Sequence, residues 1–127
     1  MTASVFIPGP LPGFNEIIAA AKSGRGKGNA YARMKKQWGE TVWAFAKSAR
    51  MKPVDGQASV LFVWFERDRR RDIDNVSAAA KFVLDGLVKA GVLANDNQAS
   101  VFSIEHHFVV DKKTPGVRVT VEPACPF

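Results

Sequence analysis

One stretch restricts the fold of this chain more than any other: residues 58–66 read ASVLFVWFE and are followed at once by RDRRRDIDN. A run that is apolar at almost every position and rich in β-branched and aromatic residues is typical of a central strand covered on both faces. The abrupt change to charged residues ends that strand near Glu66. The chain therefore folds around a sheet, with its most charged segment at the end of the central strand.

Periodicity predicts two helices. The first runs from about Asn29 to Arg50, because apolar residues recur there at three- and four-residue spacing. The second is capped by Asp74 or Asn75 and stops at Gly91, after about Ala90. The predicted buried faces are Met34, Trp38, Val42, Phe45 and Ala49 in the first helix, and Val76, Ala80, Val83, Leu84, Leu87 and Val88 in the second. Trp43 falls half a turn from the first face, where it contacts either a second subunit or a covering loop.

Three further strands complete the predicted fold. Residues 3–7 form a strand that PGPLPG ends, and SVFSIEHHFVV and VRVTVE form a hairpin around DKKTPG. In the last strand Val117, Val119 and Val121 alternate with polar residues, which indicates one solvated face. The order βαβαββ predicts an α+β fold in which two helices pack on a mixed four-stranded sheet. We expect one domain over residues 1–127, a two-layer sandwich.

Composition narrows the functional classes. The 127 residues carry 18 Lys and Arg against 12 Asp and Glu, a net charge of +6 that favours a polyanionic partner such as nucleic acid. The single cysteine cannot form an internal disulfide, and the N-terminus lacks the basic start and long apolar run of a signal peptide. No apolar stretch approaches the roughly 20 residues that cross a bilayer. We expect a soluble, cytoplasmic protein with no membrane partner.

An acidic pair follows the central strand. Asp72 lies just beyond the strand and Asp74 at the start of a helix, and in an extended segment this spacing turns both side chains to one side. Carboxylates that close repel one another unless a positive group lies between them, and a hard cation such as Mg²⁺ suits oxygen ligands. Arg69, Arg70 and Arg71 would then bind DNA phosphates. The pattern fits equally a solvated loop in which the arginines neutralise the aspartates.

Two more residues fit a metal site. Asp96 lies in the loop VLANDNQ, which returns toward the strand end if the second helix packs back across the sheet, so three carboxylates would form a metal cage. At about 100° per residue, Lys81 and Asp85 share a helical stripe with Asp74. Lys81 therefore either faces the site or forms an ordinary surface pair with Asp85.

Further basic residues would hold DNA arms through phosphates, with little sequence preference. They lie in the glycine-rich loop KSGRGKG and at the start of the first helix: Lys22, Arg25, Lys27, Arg33, Lys35 and Lys36. We expect the loop to be mobile, since it is rich in glycine.

The segment from RRRDIDN through AAAKFVLDGLVKAGVLANDNQ resembles the RusA-type Holliday junction resolvases, a family common in bacteriophages and prophages. The elements D-x-D-N, K-x-x-x-D-x-L and A-G-x-x-x-x-D occur in order, and LPGFNE, the basic loop and the closing hairpin match more loosely. The resemblance implies a Mg²⁺-dependent endonuclease that acts as a homodimer and cuts four-way DNA junctions symmetrically. It implies that Asp72, Asp74 and Asp96 are the catalytic, metal-binding triad and that Lys81 is the site lysine.

The chain departs from the family pattern at two places. Three additional residues separate Asp74 from Lys81, so that Ala78 stands where the usual spacing puts the lysine, and Asn95 stands where many relatives have aspartate. Two other functions stay open on the sequence: a nuclease for other branched DNA, such as flaps and forks, and a non-catalytic DNA-binding protein whose acidic cluster tunes electrostatics.

Overall fold

The computed structural model describes residues 3–23 and 29–124. Its elements are, in chain order, β1 (Ala3–Pro8), α1 (Phe14–Ser23), α2 (Ala30–Ser48), β2 (Ala58–Glu66), α3 (Ile73–Ser77), α4 (Ala80–Lys89), β3 (Val101–Val110) and β4 (Gly116–Pro123). The strands form one sheet in the order β1-β4-β2-β3, in which only the β2–β3 pair is parallel. The predicted α+β class and mixed four-stranded sheet are confirmed, but the predicted hairpin of the last two strands is wrong, because β2 lies between β3 and β4. Among the described helices, none has the length and apolar character needed to cross a membrane.

The core lies between one face of the sheet and the helices. Alternate residues of β2 are buried, namely Ala58, Val60, Phe62 and Trp64, and so are Val117, Val119 and Val121 of β4, as their alternation predicted. The opposite face of β2 is only half buried. The prediction that β2 is covered on both faces is therefore wrong for that face, which carries no helical layer.

Helix α2 confirms the first predicted helix. Asn29 caps it by accepting a hydrogen bond from the Ala32 amide at 2.7 Å. Its buried residues are Gly39, Val42 and Ala46, whereas Phe45 is 39% exposed. The buried face is rotated because α4 crosses very closely: a Cβ on Gly86 would lie 2.4 Å from the Val42 Cβ, so only glycine allows this contact.

Two helical features differ from the sequence expectation. Helix α1 is additional, and it escapes a periodicity search because only Ala20 is buried along it. The predicted second helix is divided, since α3 ends at Ser77 and α4 begins at Ala80. The turn between them lets Val76 and Phe82 both reach the core. The three additional residues relative to the family motif fall around this turn, so the predicted stripe from Asp74 to Lys81 does not hold across it.

The crossover from β2 to β3 decides where the loops lie. Since β2 and β3 are parallel, the intervening helices return the chain to the amino end of β2. There the Ala58 amide donates to the Ser100 carbonyl at 2.9 Å. At the carboxyl end of β2 the Asp111 amide donates to the Glu66 carbonyl at 2.7 Å. At about 3.3 Å per residue, the two ends are roughly 26 Å apart.

Strand β3 is an edge strand with little cover. Ile104, Phe108, Val109 and Val110 are each 37–45% exposed. His106, in the middle of the strand, is partly buried: its ring stacks on Phe62, and its Nδ1 accepts a hydrogen bond from the Trp64 indole at 2.9 Å. The strand is thus held to β2 by both backbone and side chains, while its apolar residues on the helix side lack a covering layer.

Candidate active site

The acidic pair lies at the carboxyl end of β2. Asp72 is the N-cap residue of α3, yet its carboxylate makes no capping hydrogen bond, and Asp74 follows in the first helical turn. Both residues are exposed. Neither carboxylate has a hydrogen-bond or ion-pair partner in residues 3–23 and 29–124. Two unpartnered carboxylates at a strand end are available to a cation, which is the chemistry that the sequence predicts for them.

Arg71 directs its guanidinium into the protein. Its Nε donates to Glu66 Oε1 and its Nη2 to Glu66 Oε2, both at 2.8 Å, which is the bidentate geometry of a strong arginine–carboxylate pair. The hydrogen bonds that Arg71 donates to Glu66 raise the pKa of Arg71 above its usual value, against the opposing effect of burial. A DNA phosphate that bound Arg71, as the sequence predicts, would therefore compete with Glu66 for the guanidinium.

Segment 11–16, which carries the sequence PGFNE, packs against the same turn. Nη1 of Arg71 approaches the Leu11 carbonyl at 3.3 Å and Glu16 Oε1 at 3.4 Å. The Asn15 amide donates to the Asn75 side-chain oxygen at 3.2 Å. The segments LPGFNE and D-x-D-N therefore contact each other.

Arg69 and Arg70 face the solvent beside the acidic pair. The Arg70 side chain is 90% exposed, and its Nε lies 3.6 Å from Asp68 Oδ2, a weak surface contact. A cleft with a volume of 1090 Å³ opens here between the turn and the end of β3. Its walls combine Asp72, Asp74 and Arg69 with the apolar residues 108–110. The cleft thus presents cation ligands and an anion-binding side chain together.

Asp96 lies at the other end of β2. Its loop is tied to the amino end by the hydrogen bond from Gln57 Nε2 to the Gln98 carbonyl, 3.0 Å long. Within the described ranges, no three His, Cys, Asp or Glu side chains lie close enough to hold one metal ion. The expectation that a single chain gathers Asp72, Asp74 and Asp96 is therefore wrong. Helices that pack back across a parallel pair carry the loop away from the carboxyl end.

Lys81 is exposed on the first turn of α4. Over the part of the chain that the structure describes, Lys81 forms no ion pair with Asp85, so the alternative of an ordinary surface pair finds no support. Asp85 instead has a buried Oδ2 atom without a hydrogen-bond partner in that part. Among the described residues, no hydrogen bond or ion pair connects Lys81 to the acidic pair.

The other basic residues are spread over the helices. Lys22 lies in the last turn of α1, and Arg33, Lys35 and Lys36 lie near the start of α2; all four are exposed. Arg25 and Lys27 lie outside the described residues. Trp43, the candidate contact to a second subunit, is 40% exposed.

Sequence reasoning missed Glu66, Gly13 and Asn75 as parts of this site. A Cβ on Gly13 would lie 2.6 Å from both Arg71 Nη1 and Asn75 Oδ1, so the glycine leaves room for these two side chains. Two features of the sequence could have identified these residues. One is the single glutamate that ends an apolar strand shortly before an arginine, and the other is the proline- and glycine-rich segment near the N-terminus.

Comparison with known proteins identifies the family of this chain. The family model described as Endodeoxyribonuclease RusA matches residues 23–122, which include the acidic pair and Asp96. Comparison with curated proteins gives no match. Among solved structures, one that matches is described as the crystal structure of the HypE-HypF complex, at 14% identity and a TM-score of 0.37. The match covers 95% of this chain but only 30% of that one, and so low a TM-score establishes no common fold.

Proposed function

We propose that this chain, which belongs to the RusA endodeoxyribonuclease family, is a Holliday junction-resolving nuclease that works as a Mg²⁺-dependent homodimer and makes paired, symmetric nicks. It would act in the cytoplasm of a bacterial or phage-infected cell. The observation that carries this proposal is the pair of unpartnered carboxylates of Asp72 and Asp74 in a cleft beside exposed arginines.

The carboxylates at the carboxyl end of β2 supply part of the oxygen coordination that a hard divalent cation requires. Asp72 and Asp74 supply oxygen ligands, and phosphate oxygens and water usually complete the shell of Mg²⁺. One chain supplies two of the three expected carboxylates, because Asp96 lies at the opposite end of β2. A second chain that brings its own Asp96 loop to the cleft would complete the set.

The exposed edge of β3 offers a way to bring that loop. Antiparallel pairing of two β3 strands about His106 would set Ile104 opposite the partner's Phe108 and Glu105 opposite the partner's His107. Apolar and opposite-charge cross-strand pairs of this kind stabilise sheets. Pairing would also cover an exposed apolar edge, which is otherwise a risk for aggregation.

Such a dimer has a direct consequence for the acidic residues. In an antiparallel pair, the start of one β3 meets the end of the other. The loop with the partner's Asp96 precedes that start, while Asp72 and Asp74 border the end of β3 in the cleft. Each of two symmetric sites would thus combine carboxylates from both chains, and two sites match the two cuts that a junction with approximate two-fold symmetry requires.

The proposed reaction is hydrolysis of a phosphodiester bond. When bound, the metal supplies a more acidic attacking water and positive charge at the scissile phosphate. Asp72 and Asp74 would hold it, together with the partner's Asp96. Arg69 and Arg70 would bind neighbouring phosphates, and Lys81 would neutralise charge that develops in the transition state.

Contacts to the junction arms extend the proposal along the helices. The exposed Lys22, Arg33, Lys35 and Lys36 would bind phosphates of the arms, and Arg25 and Lys27 would do so from the glycine-rich segment. Because these contacts go to the backbone, they would strengthen binding without reading sequence.

The test is cleavage of a synthetic four-way junction by wild type and by Asp74→Asn, in Mg²⁺ and in EDTA, with linear duplex and flap controls. We expect paired nicks on the junction only, with metal only and by wild type only, while Asp74→Asn still binds the junction. Cleavage of flaps in preference to junctions would show that the substrate is another branched DNA. Tight binding without cleavage in Mg²⁺ or Mn²⁺ would contradict the catalytic assignment.

A further inference from the structure

We propose that the dimer carries a second metal site, separate from the acidic pair: a Zn²⁺ ion on its two-fold axis, held by Glu105 and His107 of both chains. This inference rests on the proposed function, because it requires the pairing of two β3 strands described above. The ion would bridge the subunits on the face of the sheet that carries no helices. It would take no part in the cleavage of DNA.

In a single chain, Glu105 and His107 already bring two ligand atoms together. They lie two residues apart in β3, so both side chains project from the same face of the strand. His107 Nε2 lies 2.5 Å from Glu105 Oε2, and the two side chains are 55% and 69% exposed. An ion pair so open to water contributes little to stability. The pair nevertheless presents an imidazole nitrogen and a carboxylate oxygen at a surface that a metal ion can reach.

The proposed pairing about His106 supplies the two missing ligands. It sets Glu105 opposite the partner's His107 and, by symmetry, His107 opposite the partner's Glu105. Side chains directly opposite each other in an antiparallel pair have Cβ atoms about 4.5–5.5 Å apart. Within the described residues of one chain, no three His, Cys, Asp or Glu side chains lie close enough to hold one metal ion. The site is therefore incomplete in one chain, whereas two chains provide two imidazoles and two carboxylates.

These ligand types favour Zn²⁺ over Mg²⁺. Zinc binds imidazole nitrogen and carboxylate oxygen in tetrahedral sites at about 2.0–2.2 Å, whereas Mg²⁺ prefers an octahedral shell of oxygens. Two tetrahedral ligands at that distance lie roughly 3.4 Å from each other. His107 Nε2 and Glu105 Oε2 are 2.5 Å apart. They would need to separate by roughly 1 Å as the ion replaces the proton between them, which is a small adjustment for two exposed side chains.

The neighbouring histidine, His106, is engaged elsewhere. Its ring stacks on Phe62 on the helix side of the sheet, and its Nδ1 accepts the hydrogen bond of the Trp64 indole at 2.9 Å. The chain has two histidines and one cysteine. A zinc ion bound through imidazole or thiolate can therefore be assigned by substituting these three residues one at a time.

The first experiment measures the zinc content of the full-length chain, freed of metal, loaded with Zn²⁺ and passed through a gel-filtration column. We expect one bound Zn²⁺ per two chains in wild type, and binding at least about tenfold weaker in His107→Gln and in Glu105→Gln, as loss of a ligand from a four-coordinate site predicts. His106→Asn and Cys125→Ser are the matched controls and should keep the ion. Asp74→Asn should keep it as well, which separates this site from the acidic pair.

Association of the chains gives a second readout, without DNA or Mg²⁺. With free Zn²⁺ at about 100 times its dissociation constant, the dissociation constant of the dimer should fall by about 100-fold, because only the dimer holds all four ligands. Sedimentation measures this change, and EDTA should reverse it. His107→Gln should still dimerise but should not respond to zinc. Ile104→Glu, which puts a charge on the pairing edge, should lose the ion although Glu105 and His107 are intact.

Three results would overturn the site. They are a dimer that binds no zinc, in which Glu105 and His107 form an ion pair only; zinc retained by His107→Gln; and zinc retained by a monomeric Ile104→Glu protein. Junction cleavage in Mg²⁺ separates this inference from the proposed function. A dimer that binds the bridging zinc but cuts no junction would uphold the site and refute the nuclease. A dimer that cuts junctions and ignores zinc would uphold the nuclease and refute the site.

Discussion

The carboxyl and amino ends of β2 differ in how their loops are fastened. At the carboxyl end, contacts from distant parts of the chain hold the turn, such as that between Arg71 and Leu11. At the amino end the loop is held mainly by its own turns, with Asn97 Oδ1 accepting from the Ala99 and Ser100 amides. The braced end holds the unpartnered carboxylates of Asp72 and Asp74, and the locally held end presents Asp96 to solvent. In the proposed dimer, each end would supply half of a site.

The largest expected effect tests this division directly. Asp74→Asn and Asp96→Asn should each reduce junction cleavage by at least about 10³-fold, since each removes a metal ligand from every site. Mixing the two variants and allowing the subunits to exchange should restore nicking. A mixed dimer gathers both substitutions in one site and leaves the other intact, so about a quarter of the wild-type number of sites should return. Gel analysis of a labelled junction measures the single nicks.

Two mixtures serve as its controls. Asp72→Asn with Asp74→Asn alters the same end of both chains, so it should restore nothing. If Asp96 works with the acidic pair of its own chain, the mixture of Asp74→Asn and Asp96→Asn would stay inactive as well, and the two ends would not form a shared site.

The next largest effect is expected from a change that prevents dimerisation and leaves both ends of β2 unaltered. Ile104→Glu on the exposed edge of β3 should prevent strand pairing, because it places a charge opposite the partner's Phe108. We expect a monomer by light scattering and a cleavage rate lowered by about 100-fold, with both ends intact. Trp43→Glu is the matched control at the other candidate interface. If the dimer persists with Ile104→Glu and dissociates with Trp43→Glu, the interface lies on α2 and not on β3.

A smaller effect loosens the braced end alone. Gly13→Ala puts a methyl group 2.6 Å from both Arg71 Nη1 and Asn75 Oδ1, so both anchors must shift. We expect a loss of about 1–2 kcal/mol in the free energy of unfolding, by urea titration, and about tenfold slower cleavage. Gly39→Ala is the control, since a Cβ there meets nothing within 4 Å and a helical alanine should be neutral or stabilising. Equal losses in both variants would contradict a special role for Gly13.

The smallest effect is expected in the middle of β3, the strand that runs beside β2 from one end of the sheet to the other. Burial lowers the pKa of His106, and its Nδ1 must be unprotonated to accept the Trp64 hydrogen bond. Below the unfolded pKa of about 6.5 the unfolded chain binds the proton more readily, so stability is present above that pH and is lost as the pH falls through the folded pKa. Melting temperatures from pH 8 to 5 should decline more steeply for wild type than for His106→Asn. His107→Gln should keep the wild-type slope; parallel curves for wild type and His106→Asn would contradict the assignment.

Local patterns in the sequence predicted the strands well, because alternation and apolar runs report directly on burial, as in Val117, Val119 and Val121. They failed where non-local packing decides. The close approach of α4, at Gly86, to α2 turned Phe45 outward, and a turn divided the predicted second helix. The residues of the candidate site were found from spacing and resemblance, but the location of Asp96 depends on β2 and β3 being parallel. No single strand's sequence contains that information.

The turn between α3 and α4 has a consequence for how this chain can change in length. The acidic pair is anchored from upstream, by Glu66 and segment 11–16, so its placement does not depend on the residues that follow Ser77. We expect additional residues at 78–79 to be accommodated in the turn between α3 and α4, where they would displace Lys81 while Asp72 and Asp74 keep their positions. Insertions or deletions in the turn between α3 and α4 could therefore change the position of the lysine during evolution, because that turn does not hold the metal ligands.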